Sequence, residues 1–332
     1  MIKTTKANIV VAGITTYIIR RLLFMIPVFL GVSILTFAIS NAAGDPIALI
    51  RQGIRSAPPQ VLEALKAYYH VNDPIYIRYL YWLWDLLHLD LGRSVSGTLV
   101  IDRMGPWVLT TLELQVPALI LAVLIGLPIG VFSARHQYSK SDVSITTFAL
   151  FGYSMPTFWL GLMMIIVFSL YLGWLPPAGA AGITRIWWGS EFGDRIAHLI
   201  MPLAVLTYVQ LATFVRLIRG NMLQVLREDY VLSSRACGLR ERTVIYKHAL
   251  RNAITPIVTI LGLGFGSSLS GAPALETAFS WPGLGYQFVR ATFALDIPLI
   301  VGITVVITIM LMVANIITDL FYGMIDPRVR LG

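Results

Sequence analysis

Few residues in this sequence have the types and spacing that covalent chemistry needs. The histidines and the single cysteine are scattered along the chain, at His70, His88, His136, His198, Cys237 and His248. The sequence contains no Gly-x-x-x-x-Gly-Lys-Ser/Thr loop to hold nucleotide phosphates and no His-Glu-x-x-His pair to bind zinc. It also lacks a Gly-x-Ser-x-Gly elbow that would present a nucleophilic serine. We therefore predict no catalytic residue, no metal ligand and no cofactor site.

The composition is that of a membrane protein. Hydrophobic residues make up 57% of the 332 residues and charged residues only 13%, about half of the ~25% typical of soluble domains. Such a chain has too few polar groups to cover a soluble enzyme. The apolar runs are continuous rather than alternating, which favours membrane helices over a β-barrel. The net charge is +8, and we expect the excess basic residues to lie on cytoplasmic loops next to the lipid bilayer rather than on a nucleic-acid-binding surface.

Six apolar stretches are long enough to cross a bilayer core, which takes about 20 helical residues. They are Leu22–Ile39, Leu114–Ser133, Ser144–Leu172, Ile196–Val215, Ala253–Leu275 and Ile297–Thr318. The third stretch is the longest and contains Pro156, and the uncharged residues around it leave a second short or re-entrant element open. The sequence thus predicts an all-α polytopic membrane protein with six transmembrane helices.

The loop charges predict the orientation of these helices. If the N-terminus is cytoplasmic, the inside segments are 1–21, 134–143, 216–252 and 319–332. They hold 16 of the 25 lysine and arginine residues and a net charge of +10, whereas the outside segments have a net charge of −1. The positive-inside rule therefore places both termini in the cytoplasm. Residues 1–21 would be a cytoplasmic N-terminal extension and residues 44–107 an extracytoplasmic segment.

A cleaved signal peptide is an alternative reading of the N-terminus, because Arg20 and Arg21 precede an apolar run. That run is long for a signal peptide, and five further apolar stretches follow it. These features favour a first helix that stays in the membrane as a signal anchor.

Ionisable groups are nearly absent from the six stretches. Glu113 follows Thr110 by three residues, which predicts a capping box at the start of a helix. We expect Glu276 and Asp319, at span ends, to be solvated and His198 to lie at the membrane interface. An ion-coupled secondary transporter would need a titratable group near the bilayer midplane, so it is the weaker alternative. We expect instead a neutral solute cavity and an external energy source.

Two pairs of glycines have the Gly-x-x-x-Gly spacing of closely packed membrane helices. They are Gly126 with Gly130 and Gly262 with Gly266. Because glycine has no side chain, such pairs let two helix backbones approach closely. We therefore predict helix packing at these positions rather than ligand binding.

The basic loop 216–252 is the most informative segment. Asp229 can cap a short helix there, and Gly238 can end that helix in a left-handed conformation. A second helix is predicted from about Arg240 into the fifth apolar stretch. The positive-inside rule alone would explain the loop's charge. A short helix held between two longer ones, however, favours docking of another protein.

This loop resembles the cytoplasmic coupling loop of binding-protein-dependent ABC importer permeases. It is most similar to the first permease subunit of the dipeptide/oligopeptide/nickel family, which reads D-Y-V-x-T-A-R-A-K-G-L and then K/R-H-A-L-R-N-A-x-x-P. The matching residues here are Asp229-Tyr230-Val231, Arg235-Ala236, Gly238-Leu239, Lys247 through Ala253, and Pro256. The departures are Ser233-Ser234 for Thr-Ala and Cys237 for Lys, which are small and polar or neutral.

The resemblance extends along most of the chain. Further matching motifs follow in the family's order: Arg20-Arg21-Leu22-Leu23, Gly44-Asp45-Pro46, Asp90-Leu91-Gly92-x-Ser94, Gly152-Tyr153-Ser154-Met155-Pro156, Phe279 through Gly285, and Asp326-Pro327-Arg328. Each motif alone is weak, but the ordered set is specific.

The resemblance implies a type I ABC importer permease fold over residues 22–332, in a multi-pass protein of the cell membrane. It implies three kinds of partner: a homologous second permease subunit, two ATP-binding subunits and an extracytoplasmic solute-binding protein. ATP and Mg²⁺ would act on the ATPase subunits, so this chain would be neither an enzyme nor a cofactor carrier. Di- or oligopeptides are the expected solutes, with oligosaccharide and nickel as alternatives.

The resemblance also implies which residues couple ATP hydrolysis to transport. The expected ATPase-coupling residues are Tyr230, Val231, Arg235, Ala236, Gly238 and Leu239. Three more residues, Lys247, His248 and Arg251, are expected to position the following helix.

Overall fold

The computed structural model describes residues 2–42, 63, 70, 73–182, 187–254, 261–262, 264–266, 268 and 270–325. Within these ranges the regular structure is helical, apart from an isolated antiparallel bridge between Arg93 and Leu99. The predicted all-α class is therefore confirmed.

Twelve α-helices are described. In chain order they are α1 (Ile2–Ala42), α2 (Ile75–Leu87), α3 (Val100–Arg135), α4 (Lys140–Ser154), α5 (Thr157–Met164), α6 (Glu191–Val225), α7 (Asp229–Ala236), α8 (Glu241–Thr243), α9 (Leu250–Ala253), α10 (Pro273–Ala278), α11 (Leu284–Phe293) and α12 (Ile297–Ile325). A π-helical stretch, Ile165–Tyr171, continues α5, and another, Val244–Ala249, joins α8 to α9. A short 3₁₀ turn, Trp187–Gly189, precedes α6.

Among the described residues, four helices are long and apolar enough to cross a membrane. They are Arg20–Ala42 of α1, all of α3, all of α6, and Ile297–Thr318 of α12. A fifth span is present if α4 and the helix Thr157–Tyr171 count as one, although they bend by 102° where they meet. The predicted fifth stretch, Ala253–Leu275, lies partly outside the described residues.

The bend between α4 and α5 follows from Pro156, the residue that sequence analysis placed inside the third stretch. Proline cannot donate a backbone hydrogen bond, and it disfavours helical geometry in the residue before it. Met155 accordingly has extended dihedral angles (φ −85°, ψ 137°), and α5 begins after Pro156. The third stretch is thus a broken span or a re-entrant element.

The chain divides into two compact units, each described by itself. Unit 1 comprises Met1–Leu109 and Gly283–Val313, and unit 2 comprises Thr110–Pro282 and Ala314–Gly332. In unit 1, the start of α3 packs against α11 and α12 through a buried cluster of Val100, Met104, Leu284, Ala291, Leu299 and Ile303. The buried carboxylate of Asp296 accepts hydrogen bonds from the hydroxyl of Ser94 and from the backbone N–H groups of Val95 and Leu299.

The paired glycines of unit 2 allow close helix contacts, as predicted. A Cβ atom on Gly130 of α3 would lie 2.7 Å from Cβ of Ile218 in α6, and one on Gly126 would lie 3.2 Å from Cβ of Phe214. A Cβ atom on Gly262 would lie only 1.8 Å from Cγ2 of Thr318. Helix packing at these glycines is therefore confirmed.

The predicted capping box at Thr110 and Glu113 is wrong, because both residues lie in the middle of α3. The helix begins at Val100, whereas the apolar pattern marks only the part suited to lipid. Glu113 instead accepts a hydrogen bond from Nε of Arg195 at 2.9 Å. The Arg195 guanidinium lies 4.7 Å from the ring centroid of Trp281, whose Nε1 donates to the carbonyl of Thr110 at 2.9 Å.

The expectation of a solvated Glu276 is also wrong. Glu276 is fully buried, and its Oε1 accepts the backbone N–H of Ala272 at 3.2 Å. His198 is 5% exposed, and its Nδ1 donates to the carbonyl of Asp194 at 2.8 Å, while its place at the membrane interface stays a prediction. The side chain of Asp319 lies outside the described residues.

Candidate coupling surface

Helix α6 carries the chain ten residues beyond the predicted end of the fourth span. It ends at Val225, so the first ten residues of segment 216–252 are helical, which sequence analysis did not predict. The N–H of Leu226 still bonds to the carbonyl of Met222 at 2.9 Å, and the turn closes with Glu228 N–H on the carbonyl of Val225 at 3.1 Å. The short helix α7 follows at once.

Helix α7 is the predicted short helix, with a different N-terminal residue. Glu228 occupies the N-cap position (φ −71°, ψ 144°), and Asp229 is the first helical residue rather than the cap. Asp229 at the start and Arg235 in the last turn both have the charge that complements the helix dipole.

The C-terminal end of α7 is a complete Schellman motif. Gly238 has φ +75°, which confirms the predicted left-handed conformation. Its N–H bonds to the carbonyl of Arg235 at 2.9 Å, and the N–H of Leu239 reaches back to the carbonyl of Ser234 at 3.4 Å. A Cβ atom on Gly238 would meet nothing within 4 Å, so its glycine requirement comes from the backbone angle alone.

The predicted coupling residues separate into a buried anchor and an exposed surface. Val231 is fully buried and packs in a cluster with Val244, Ile245 and Ala249, so it holds α7 against the following helix. The other predicted residues on and after α7 are exposed: Tyr230, Arg235, Ala236, Gly238 and Leu239. We refer to these five residues as the coupling surface.

Two polar contacts also tie α7 to the helices that follow. Nδ2 of Asn252 donates to the hydroxyl of Tyr230 at 2.7 Å. Nη2 of Arg235 donates to Oε1 of Glu241 at 2.9 Å. Both members of this ion pair are exposed, so we expect it to contribute no more than about 1 kcal/mol to stability.

The three positioning residues lie in the π-helical stretch and α9. Lys247 and Arg251 are exposed, whereas His248 is half-buried. A π-helix closes its hydrogen bonds over five residues rather than four, which rotates the side chains after it relative to an α-helix. Here that geometry leaves Ile245 and Ala249 in the core while Lys247 points outward.

A buried carboxylate, which sequence analysis missed, links α4 to α6, the helix that precedes α7. Asp142 of α4 is 2% exposed and accepts two hydrogen bonds from Arg219 of α6, from Nε at 2.7 Å and from Nη2 at 2.7 Å. It also accepts bonds from the hydroxyl of Ser133 and from the backbone N–H of Tyr138 at 2.9 Å. The local signal was the Ser139-x-x-Asp142 spacing, because Ser139 Oγ caps the N–H of Asp142 at 3.2 Å.

Unit 1 contains a cavity of about 130 Å³, lined by the segment predicted to be extracytoplasmic and by residues in or next to the first and sixth predicted spans. Its lining mixes aromatic and charged side chains, among them Trp82, Arg78 and Asp85. Partial burial, followed by the neighbouring Asp90 carboxylate, raises the pKa of Asp85 above its ordinary value. The residues that line this cavity are distant in sequence from the coupling surface.

The comparison with protein families covers the coupling surface and all of α6. Residues 126–331 match the family described as the binding-protein-dependent transport system inner membrane component. The chain belongs to this family. It is therefore a multi-pass permease subunit of the cytoplasmic membrane, and ATP is used by the partner ATPases rather than by this permease.

Curated relatives match the permease over nearly its whole length. It is 41% identical to the oligopeptide transport system permease protein AppB of Bacillus subtilis, over 95% of this chain and 99% of that protein. It is 38% identical to the dipeptide transport system permease protein DppB of Escherichia coli, over 95% and 98% respectively. It is 39% identical to the di/tripeptide transport system permease protein DppB of Pseudomonas aeruginosa, again over 95% and 98%.

A solved structure supports the fold of the permease. A chain of the MetNI methionine ABC transporter, in an inward-facing conformation, superposes with a TM-score of 0.51 at 15% sequence identity. The match covers 67% of this permease and 96% of that chain. The predicted resemblance to ABC importer permeases is confirmed by the family match, and this superposition places the helices in the same class of fold.

We predict that Asp142→Ala destabilises the permease much more than Glu241→Ala. Removing Asp142 leaves the Arg219 guanidinium without its partner at a mostly buried site, which we expect to cost about 2–4 kcal/mol. Glu241 forms an exposed pair, so its loss should cost less than about 1 kcal/mol. The measurement is the midpoint of thermal unfolding of each purified variant in the same detergent. Equal midpoints for the two variants would contradict this account of Asp142.

Proposed function

We propose that this permease translocates di- or oligopeptides into the cell. The observation that carries the proposal is the match to three peptide permeases at 38–41% identity over 95% of the chain. Such length-wide similarity includes the membrane helices as well as the coupling surface. The alternatives from sequence analysis, oligosaccharide and nickel, remain cargoes to be tested against peptides.

We infer that the working transporter contains a homologous second permease, two ATPase subunits and an extracytoplasmic binding protein. The coupling surface would contact one ATPase. When the ATPases dimerise on ATP, they would displace α7 and open the solute cavity outward, and hydrolysis would reset it. Displacement of α7 would pass to α8 and α9, because Val231 and the Tyr230–Asn252 hydrogen bond join them.

We also propose six membrane spans with both termini in the cytoplasm, a 1–21 extension on the inside and segment 44–107 on the outside. The net charge of +10 on the inside segments supports this orientation. A reporter fused after Gly332 should behave as cytoplasmic, and one inserted near Ala178 as external. An external signal from Gly332 would contradict the six-span arrangement.

The proposed cargo can be tested by uptake into proteoliposomes that contain the whole transporter and its binding protein. We expect ATP-dependent uptake of a labelled di- or tripeptide, and no uptake of an oligosaccharide or Ni²⁺ under the same conditions. A proton or sodium gradient without ATP should drive no uptake. Gradient-driven uptake without ATP would favour a secondary transporter, and ATP-driven uptake of only sugar or nickel would exclude peptide as the cargo.

The role of the coupling surface predicts the behaviour of Gly238→Asp. A side chain at φ +75° costs roughly 1 kcal/mol, and the added carboxylate would project from the coupling surface. We expect reduced peptide uptake and reduced co-purification of the ATPase subunits, with insertion intact. The matched control is Gly97→Asp, since Gly97 has φ +81° and equally open surroundings. Normal uptake and ATPase retention in Gly238→Asp would remove the assigned role.

A further inference from the structure

Two arginines on α6, three residues apart, have different surroundings. The Arg219 guanidinium is neutralised by the buried Asp142 carboxylate. Among the residues that the structure describes, Arg216 has no carboxylate partner. Its guanidinium carbon instead lies 4.8 Å from the ring centroid of Tyr153 in α4. The side chains of Arg216 and Tyr153 are both exposed, Tyr153 to 57%.

Arg216 and Tyr153 both lie well inside their candidate spans. Arg216 precedes the last residue of α6 by nine positions, or about 13 Å along the helix. Tyr153 lies about 20 Å along α4 from its first residue, Lys140. The guanidinium over this ring therefore lies within the two candidate spans rather than at their ends, whereas an arginine that served only as an interfacial anchor would extend toward the lipid headgroups.

A cation inside a membrane span is costly, and such groups almost always face a water-filled path or a partner group. The tyrosine ring attracts the guanidinium but does not neutralise it, since a cation–π contact is worth about 0.5–2 kcal/mol. The positive charge of Arg216 is therefore available to bind an anion that moves along the transport path.

The backbone next to Tyr153 supports the same conclusion. Tyr153 lies two residues before Met155, where α4 ends and the chain bends by 102°. Irregular backbone at membrane depth is tolerated only where protein buries it or where it lines an aqueous cavity. Helix α5 begins just after the bend without a side-chain cap, so the positive end of its dipole lies four residues along the chain from Tyr153.

We propose that Arg216, with Tyr153, forms a carboxylate-binding station on the transport path that receives the C-terminal carboxylate of the peptide cargo. The inference rests on the proposed peptide function. A planar guanidinium can bind a carboxylate through two parallel hydrogen bonds, and its return to the Tyr153 ring would release the cargo. The proposal departs from the expected neutral cavity, because Arg216 had been assigned to a loop whose first ten residues are helix.

The first test is peptide uptake by the complete transporter at saturating binding protein. Losing a charge-assisted hydrogen bond in Arg216→Gln should lower the maximal rate for a tripeptide with a free carboxylate by at least about tenfold. Arg216→Lys keeps the charge and should stay within about threefold of the unmodified transporter. The control is Arg135→Gln, which removes an exposed arginine from the end of α3 and should leave the rate unchanged.

The second test separates an aqueous path from lipid or protein contact. Because Cys237 is the only cysteine, Arg216→Cys in a Cys237→Ser background carries a single thiol in this subunit. A water-soluble methanethiosulfonate should modify that thiol, and transported tripeptide should slow the reaction at least about threefold. The aminoethyl reagent, which restores a positive charge, should recover uptake, whereas the anionic sulfonatoethyl reagent should not.

Several results would overturn the station. One is unchanged uptake in Arg216→Gln. Another is a thiol in Arg216→Cys that does not react, which would indicate lipid or protein contact. A third is equal recovery of uptake by the two reagents. Loss of the second permease on purification of Arg216→Gln would assign Arg216 to subunit contact instead. A transporter with unaltered Arg216 that imports no peptide would refute the proposed function itself, which is a different outcome from peptide import that ignores Arg216.

Discussion

The ion pair between Asp142 and Arg219 is the interaction on which the geometry around the coupling surface of unit 2 depends. A carboxylate that is 2% exposed is stable only if its lost hydration is replaced, and four donors do so here. They come from the end of α3, from the turn before α4 and from α6. Because only three residues separate α7 from the end of α6, the position of the coupling surface depends on this buried charge.

The second arginine of α6, Arg216, has a different environment. Arg216 and Arg219 project from neighbouring positions of one helical face, so geometry alone does not distinguish them. What differs is the facing residue on α4, which is a carboxylate for Arg219 and an aromatic ring for Arg216. A carboxylate neutralises its arginine and makes it part of the scaffold. An aromatic ring orients its arginine without neutralising the charge, which suits a group that must bind an anion and release it.

Sequence analysis succeeded where a property is local to the chain. The left-handed Gly238 and the close packing at Gly130 each follow from one residue's own steric limits. It failed where the deciding partner is remote, because no local rule pairs Glu113 with Arg195 or Asp142 with Arg219. The helix ends were also misplaced, since apolar patterning marks only the uncharged part of a membrane helix, whereas α3 and α6 continue past that part.

The contacts that hold α7 differ in strength. Their relative strengths determine which helices would move together if α7 were displaced. Burial of Val231 is the strongest, whereas the Tyr230–Asn252 hydrogen bond and the Arg235–Glu241 ion pair are both exposed, and the ion pair is also screened by salt. The buried contact joins α7 to the π-helical stretch rather than to solvent. A push on the exposed surface of α7 would therefore move α7, α8 and α9 together, because separating them would expose Val231, Val244 and Ile245 to water. The two Schellman hydrogen bonds at Gly238 restrict the turn after α7, so under the proposed coupling role a displacement would pass to the predicted fifth span.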